Sequence, residues 1–343
     1  MQLSPNQTEK IATSSFLVTG GAGFIGSHIA EFLLNAGARK VRVLDNLTTG
    51  HFRNVASFAN HPNFEYVKGD IRDLGTCKAV CKEIDYVFHQ AAVGSQSGSI
   101  SDPDITNSIN TSGFLNMLIV AQDARVKRFV YASRSSVHGD SELPETEKIT
   151  DINELYAYQF SRLYGIETIG LRYCNVFGQR HHLQSEYAAF IPAFVMQLHK
   201  HESPVIHGTG ACSCCYTYIK NVVQANILAV LTTAPQAVNQ VYNITFDERT
   251  SLHQLAGCLK ELLSVFDKSI AGIEIINERA GEDMTYAVSF VEKAKNLLGY
   301  QPRYSLRDGL LQSAGWYWTY LPQFQEEVDA KKRRTQPADT ILV

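Results

Sequence analysis

The stretch from Ser15 to Gly50, SFLVTGGAGFIGSHIAEFLLNAGARKVRVLDNLTTG, constrains the fold more than any other part of the chain. Phe16 to Thr19 read as a short buried strand, and Gly20, Gly23 and Gly26 as a glycine-rich turn. Ile25, Ile29, Phe32 and Leu33 then recur at helical spacing, and KVRVLD reads as a second strand ending in Asp45. The glycines let the backbone turn tightly and approach a pyrophosphate, whose charge the N-terminus of the following helix favours. An acid at the end of the second strand accepts hydrogen bonds from a ribose and repels a 2′-phosphate, so the nucleotide expected is NAD rather than NADP. Three glycines alone could be a packing turn. With strand, helix and acid in register they form a dinucleotide fingerprint.

The alternation continues in FEYVKGDI, YVFHQAA, RFVYAS and ETIGLRY. Strands alternating with helices predict an α/β fold, a doubly wound and mainly parallel Rossmann sheet that takes its ligands at the C-terminal strand ends. Asp70, Ile71, Gln90, Ala91 and Ala92 lie at such ends and are candidates for adenine and ribose contacts. For the two alanines, close packing is an equal alternative. The length of 343 residues predicts two lobes. A nucleotide-binding domain is expected over 16–173 and a second lobe over 174–320. A flexible N-terminus over 1–15 precedes them, and a solvated tail over 321–343, carrying the basic run KKRR, follows.

Composition narrows the partners. A hydrophobic content of 45%, a charged content of 19% and a net charge of -3 describe an ordinary globular protein with no electrostatic pull toward nucleic acid. No apolar stretch approaches the length that spans a bilayer, and MQLSPNQTEKIATSS is polar where a signal peptide is apolar, so a cytoplasmic protein without a membrane partner is expected. Seven cysteines without a disulfide framework fit a reducing compartment.

Together TGGAGFIG, DNLTTG, GDIRD, HQAAVGS, NTSGFLNML, LRYCNVFG, YAAFIP, YNI and LLGYQPRY resemble the extended short-chain dehydrogenase/reductases. More narrowly they resemble the bacterial UDP-N-acetylglucosamine 4-epimerases of surface-polysaccharide synthesis. The likeness runs from about Phe16 to Trp318. It implies tightly held NAD, a smaller C-terminal α/β substrate-binding lobe over 174–320 interleaved with the first, and a UDP-sugar bound between the lobes. Hydride leaves C4 of the sugar while a tyrosine phenolate takes the 4-hydroxyl proton, the keto sugar turns over, and hydride returns to its other face. By the same resemblance the cofactor contacts are Gly20, Gly23, Phe24, Ile25, Gly26, Asp45, Asn46, Thr49, Gly50, Asp70, Ile71, Gln90, Ala91, Ala92 and Asn110. The sugar-nucleotide contacts are Ser95, Asn175, Ala189 and Phe190. Asn175 is either a donor to phosphate or hexose, or a turn asparagine. Relatives pair through two helices packed as a bundle, which makes a homodimer the expected assembly.

The chain departs from this pattern where the proton moves. The family carries a serine cluster, a Tyr-Gly, a loop, and a helix opening with Ser-Pro-Tyr-x-x-x-Lys. Tyrosine and lysine four apart share a helix face, so the cation lowers the phenol's pKa. Here LPETEK runs almost directly into DINELYAYQFSRLYG. Roughly ten residues are missing relative to the family, about 15 Å of helix at about 1.5 Å per residue. Arg134 stands at the catalytic serine, with Ser135 and Ser136 beside it, and His138 stands where tyrosine precedes Gly139. A guanidinium donates only, so it cannot replace a serine that donates and accepts. Candidate substitutes are Ser135 or Ser136 for the serine and His138 as base, with Glu147, Lys148, Tyr156 and Tyr158 behind them. The surviving helix is expected to start on a capping box, Asp151 with Glu154, the alternative being a solvated acid. Leu155, Phe160 and Leu163 are expected to supply its apolar positions.

Three further features fall outside the pattern. The lone Tyr-x-x-x-Lys, Tyr216 to Lys220, lies in the C-terminal half and reads as coincidence. Cys214 and Cys215 occupy the Arg and Asp of a family Ser-Arg-Asp, and Met284 stands at a second diphosphate-binding arginine, although Arg279 and Gly281 are kept. Losing such cations weakens a diphosphate site. Cys212, Cys214 and Cys215 near His207 do not complete a tetrahedral set, because adjacent cysteines cannot easily point at one ion, so no metal is expected. Cys77 and Cys81 read as half-buried thiols, and His181 and His182 as solvated loop residues.

Two readings therefore compete. One is an NAD-dependent UDP-hexosamine 4-epimerase, impaired to about a thousandth or less of a normal relative's activity, since loss of a general base alone costs about 10²- to 10⁴-fold. The other is a non-catalytic NAD-binding or subunit-association protein on the same scaffold. A dehydratase or decarboxylase of the superfamily needs the same missing tyrosine and meets the same objection.

Overall fold

The computed structural model describes residues 1, 3–93, 102–134, 151–181, 190–207, 213–278 and 291–335. Apolar strands buried on both faces require helices on both sides of a parallel sheet, and this is the arrangement found. The strands β1 (Ser15–Thr19), β2 (Lys40–Asp45), β3 (Phe64–Lys68), β4 (Tyr86–His89), β5 (Arg128–Arg134) and β6 (Glu167–Tyr173) are joined at the edge by β11 (Gln240–Ile244). Four short strands lie between β6 and β11 in sequence, namely β7 (Val176–Phe177), β8 (Val205–His207), β9 (Ser213–Cys215) and β10 (Thr217–Tyr218). The seven-stranded order is β11-β6-β5-β4-β1-β2-β3, with every neighbouring pair parallel. The reversal between β1 and β4 creates a switch point at the C-terminal strand ends.

Alternation along β1 divides the core. Phe16 and Val18 face one side with Ile29, Leu33 and Val222, while Leu17 faces the other with Met117, Phe129 and Tyr131. The first side is covered by α2 (Phe24–Asn35) and α8 (Ile219–Leu231). The second is covered by α3 (Leu74–Val80), α5 (Phe114–Asp123) and α6 (Ile152–Tyr164). At the middle of the sheet Tyr131 lies opposite Gly170, where an added Cβ would stand 2.7 Å from the tyrosine ring, so glycine makes the room for a buried aromatic. β11 and α8 come from the C-terminal half yet pack on the seven-stranded sheet.

Several local expectations are corrected. The N-terminus is not a loose lead-in, because Ser4 and Gln7 form a reciprocal capping box on α1 (Pro5–Ala12) and Ile11 is fully buried. At the other end the helix α11, beginning at Leu306, runs through Pro322 to Thr335, well into the segment expected to be a tail. Cys77 and Cys81 are buried rather than half-buried. His181 is 2% exposed, with its ring 4.9 Å from that of Phe24. The chain around His181 docks on α2 through Arg180 to Glu31 at 2.9 Å and through His28 to the Gln179 carbonyl at 2.9 Å. A local reading could not see this contact, because about 150 residues separate the partners. His182 lies outside the described residues. Among the described residues no helix is long and apolar enough to cross a membrane.

Candidate functional site

The glycine-rich turn is built as its spacing predicted. Gly20 has a φ of +64°, and a Cβ there would meet the backbone nitrogen of Ala91 at 2.7 Å. A Cβ on Gly26 would sit 2.3 Å from the Gly20 carbonyl oxygen, so helix and turn touch backbone to backbone. Gly23 caps α2 without any side-chain hydrogen bond, which leaves the first-turn N–H groups, including those of Phe24 and Ile25, without a side-chain cap. These N–H groups and the helix dipole suit an anionic diphosphate.

Asp45 ends β2 with 7% of its surface exposed. Its carboxylate accepts hydrogen bonds from the N–H groups of Ala22 at 2.9 Å and Leu47 at 2.8 Å. Burial raises its pKa, and those two donors oppose the rise. Gly50 folds back so that a Cβ there would meet the same carboxylate at 2.8 Å, while Thr49 is exposed at the rim. Asn46 donates to Asp70 at 2.9 Å, and Arg72 clamps Asp70 through both Nε and Nη2, at 3.0 and 2.7 Å. The Arg72 pairing holds Asp70 well below the usual carboxylate range. Ile71 is buried against Gly113.

At the end of β4, Ala91 donates its N–H to Thr19 Oγ1 at 3.3 Å, and Thr19 Oγ1 lies 3.0 Å from Nδ1 of the buried His89. With the Thr19 oxygen accepting from Ala91, its hydroxyl proton is free to go to Nδ1 of a neutral imidazole. Burial alone lowers the His89 pKa to about 3. Ala92 is exposed, and Val93 exchanges two 2.8 Å hydrogen bonds with the Asn110 side chain. Asn110 sits in a π-helical turn, Ser108–Gly113, a type of distortion often found at functional positions. Its carbonyl in turn accepts from Asn153 at 2.8 Å, tying it to the first turn of α6.

Gln90 belongs to a network that the sequence reading missed. Its amide reaches Tyr173 Oη at 3.1 Å and Asn226 Oδ1 at 3.3 Å, and Asn226 donates to Tyr173 Oη at 3.0 Å. One available signal was the pair of amides Gln224 and Asn226 inside the otherwise apolar helix VVQANILAVL. Tyr173 stands at the end of β6. Its partners are amides, and burial raises its pKa. It is not the phenol–ammonium pair of the family pattern.

The catalytic candidates Ser135, Ser136 and His138 lie outside the described residues, as do Glu147, Lys148, Ser95, Ala189, Cys212, Arg279, Gly281 and Met284. Of the remaining substitutes, Tyr158 is 40% exposed and accepts from Arg162 at 2.9 Å on the outer face of α6. Tyr156 packs half-buried against the second core cluster. Tyr216 is buried, and Lys220 reaches Gln312 at 2.6 Å, so that Tyr-x-x-x-Lys serves packing and surface pairing. Asn175 adopts a φ of +37° and donates to the Cys215 carbonyl at 2.9 Å, the behaviour of a turn asparagine. Phe190 opens α7 (Phe190–His199), half-buried beside Phe194. Among the described residues no cluster of His, Cys, Asp or Glu could hold a metal ion.

The start of α6 corrects the capping reading in part. Asp151 does cap it, accepting from the Asn153 N–H at 2.8 Å, but Glu154 does not reach back. Glu154 is 1% exposed, paired with Arg172 Nη2 at 2.6 Å and Nε at 2.8 Å, and it also accepts from Ser133. Of the apolar residues named for this helix, Phe160 packs half-buried against the second core cluster, while Leu155 and Leu163 face outward at 43% and 70% exposure.

A cleft of about 860 Å³ opens at the opposite, N-terminal strand edge, between Lys10, Tyr86, Arg128 and Glu167. Its size does not outweigh topology, since folds of this strand order take nucleotides at the other edge.

A doubly wound parallel sheet with a glycine cradle, an uncapped helix start and an acid ending β2 defines a dinucleotide-binding protein of the Rossmann class. Residues 16–245 match the NAD dependent epimerase/dehydratase family, and the chain belongs to it. A putative UDP-glucose 4-epimerase of Methanocaldococcus jannaschii is 32% identical over 88% of this chain and 97% of its own. The epimerase structure from Methanothermobacter thermautotrophicus superposes with a TM-score of 0.82 at 29% identity, over 94% of this chain and 97% of that one. The UDP-N-acetylglucosamine 4-epimerase of Methanobrevibacter ruminantium, solved with UDP-N-acetylmuramic acid, gives 0.78 at 30% identity, over 89% and 98%.

Proposed function

We propose that the chain is a cytoplasmic NAD-dependent UDP-sugar 4-epimerase by descent, of the UDP-N-acetylglucosamine/galactosamine type used in polysaccharide synthesis, with its proton-transfer step impaired. The observation that carries the nucleotide half is the backbone contact of Gly26 with Gly20 above an uncapped helix start. That cradle fits NAD: the N–H groups of the first α2 turn would hold the diphosphate, Asp45 and Asn46 the adenosine ribose, and Asp70 and Ile71 would border the adenine. When bound, NAD supplies the hydride acceptor. Gln90, Ala91, Ala92 and Asn110 would line the path toward the nicotinamide end and Phe190 the sugar nucleotide, with Asn175 shaping the turn beside it.

The impairment is argued from the sequence. Arg134 replaces a serine that must both donate and accept, and Lys148 to Asp151 leads directly into a helix whose inward residues are Glu154, Ala157 and Ser161. Glu154 is committed to Arg172, so it offers no base. A second reading, a non-catalytic NAD-binding or subunit-association protein, draws on the outward apolar face of α6, with Ile152, Leu155, Tyr158, Leu163 and Tyr164 all exposed. That face also supports a homodimer.

The test has two arms on the purified chain. NAD released by denaturation is expected near one per chain, and Gly26→Ala is expected to weaken retention at least about tenfold, because a backbone contact of 2.3 Å cannot be relieved by a rotamer change. Interconversion of UDP-N-acetylglucosamine and UDP-N-acetylgalactosamine is expected at or below about a thousandth of a normal relative's rate. Normal turnover abolished by His138→Ala would instead make His138 the base.

A further inference from the structure

The cysteines standing at the family's Arg and Asp positions are not absorbed by nucleotide binding. Cys174 follows β6 directly, at the C-terminal edge of the sheet, and β9 brings Cys215 against it. The Cys174 thiol lies 3.5 Å from the Cys215 carbonyl and within hydrogen-bond reach of the Cys215 sulfur, so its one proton can go to either. The neighbouring backbone is tied at several points. Thr217 Oγ1 donates to the Cys174 carbonyl at 2.7 Å, Thr217 N–H donates to the Asn175 carbonyl at 3.2 Å, and Asn175 Nδ2 lies 3.9 Å from Cys174 Sγ. Cys214 and Cys215 are successive strand residues, so their side chains point to opposite faces, and Cys215 is the one that meets Cys174.

We propose that Cys174 and Cys215 form a reversible, hydroperoxide-responsive disulfide that ties the end of β6 to β9. Cys215 is the attacking sulfur. Its pKa is pulled down to about 6, first by the hydrogen bond with Cys174; burial opposes this, while Thr245 and Arg249 add to it. The lowered pKa favours the thiolate, and 9% of the residue remains exposed to a small oxidant. In the first step the thiolate attacks one oxygen of hydrogen peroxide, the O–O bond breaks, hydroxide leaves, and Cys215 becomes a sulfenic acid. In the second step the Cys174 sulfur attacks the Cys215 sulfur, the S–S bond forms, and the sulfenic hydroxyl departs with the Cys174 proton as water. The pair gives up two electrons and the peroxide takes them. A thiol reductant reverses the change. Cys77 and Cys81, the other neighbouring pair, are buried with pKa values raised to about 11 and about 12 by that burial, so they are poor competitors.

The experiment treats the reduced full-length protein with hydrogen peroxide and maps its peptides by mass spectrometry. The expected product links the peptides of Cys174 and Cys215 with loss of two hydrogens and is reversed by dithiothreitol. Cys174→Ser is expected to stop at a Cys215 sulfenic acid that dimedone traps. Cys215→Ser should abolish both products, and Cys214→Ser should change neither. A wild-type map without the Cys174–Cys215 link overturns the proposal, as does a link that persists through Cys214 in the Cys215→Ser variant. Should a variant fail to fold by circular dichroism, the wild-type map alone decides. The chemistry holds whether or not the chain turns over a sugar.

Discussion

Glu154 and Arg172 meet at 1% and 2% exposure, with two hydrogen bonds between them and Ser133 on the Glu154 carboxylate. Removing one partner strands a charge in the interior, whereas replacing both with apolar residues removes the need for pairing. Glu154→Ala is expected to cost about 3–5 kcal/mol of unfolding free energy, and the double variant Glu154→Leu/Arg172→Met markedly less, as read by urea denaturation. Equal losses in the two proteins would mean that the pair is not the unit of stability. This pair also shows what a residue pattern hides. Asp151-x-x-Glu154 has the spacing of a capping box, and only the side chain's burial reveals that the glutamate serves the sheet instead. Gly26 was legible because its constraint is local, against the Gly20 carbonyl in the same turn, whereas the approach of Gly20 to Ala91 joins segments far apart in sequence.

At the scale of elements, strand and helix order could be read from periodicity, while the direction each helix faces depended on partners far away in sequence. Ala157 and Ser161 of α6 face the sheet with Glu154, which leaves Leu155, Tyr158 and Leu163 on the outer side. An apolar helix face of this kind normally marks an association surface. Leu155→Glu combined with Leu163→Lys is expected to convert a dimer to a monomer by sedimentation velocity while leaving NAD retention unchanged. A wild-type protein that is monomeric at micromolar concentration would contradict the pairing. The N-terminal helix was missed for a related reason, since its eight residues are polar on average and only Ile11 anchors them to the core.

At the scale of the whole molecule, stability should depend on pH through two imidazoles, His28 and His89, each lowered to about 3, first by burial. His89 has a folded pKa lowered to about 3 from an ordinary 6.5, so the unfolded chain takes up a proton that the native chain refuses. Its contribution is fully present above 6.5 and is lost as pH falls toward 3. Between pH 8 and pH 5 each imidazole removes about 2 kcal/mol, so His89→Gln is expected to reduce the loss by about half in paired urea titrations, the remainder belonging to His28. An unchanged pH slope in the variant would place the proton uptake elsewhere.

The proposed impairment couples an intact nucleotide cradle to a proton-transfer step without the family's phenol and ammonium. The most direct test measures, on one preparation, the NAD bound per chain and the rate of UDP-N-acetylglucosamine 4-epimerisation. NAD near one per chain with a rate at or below about a thousandth of a normal relative's is the expected result. A chain that carries no NAD, or one that turns over at a normal rate, would contradict it.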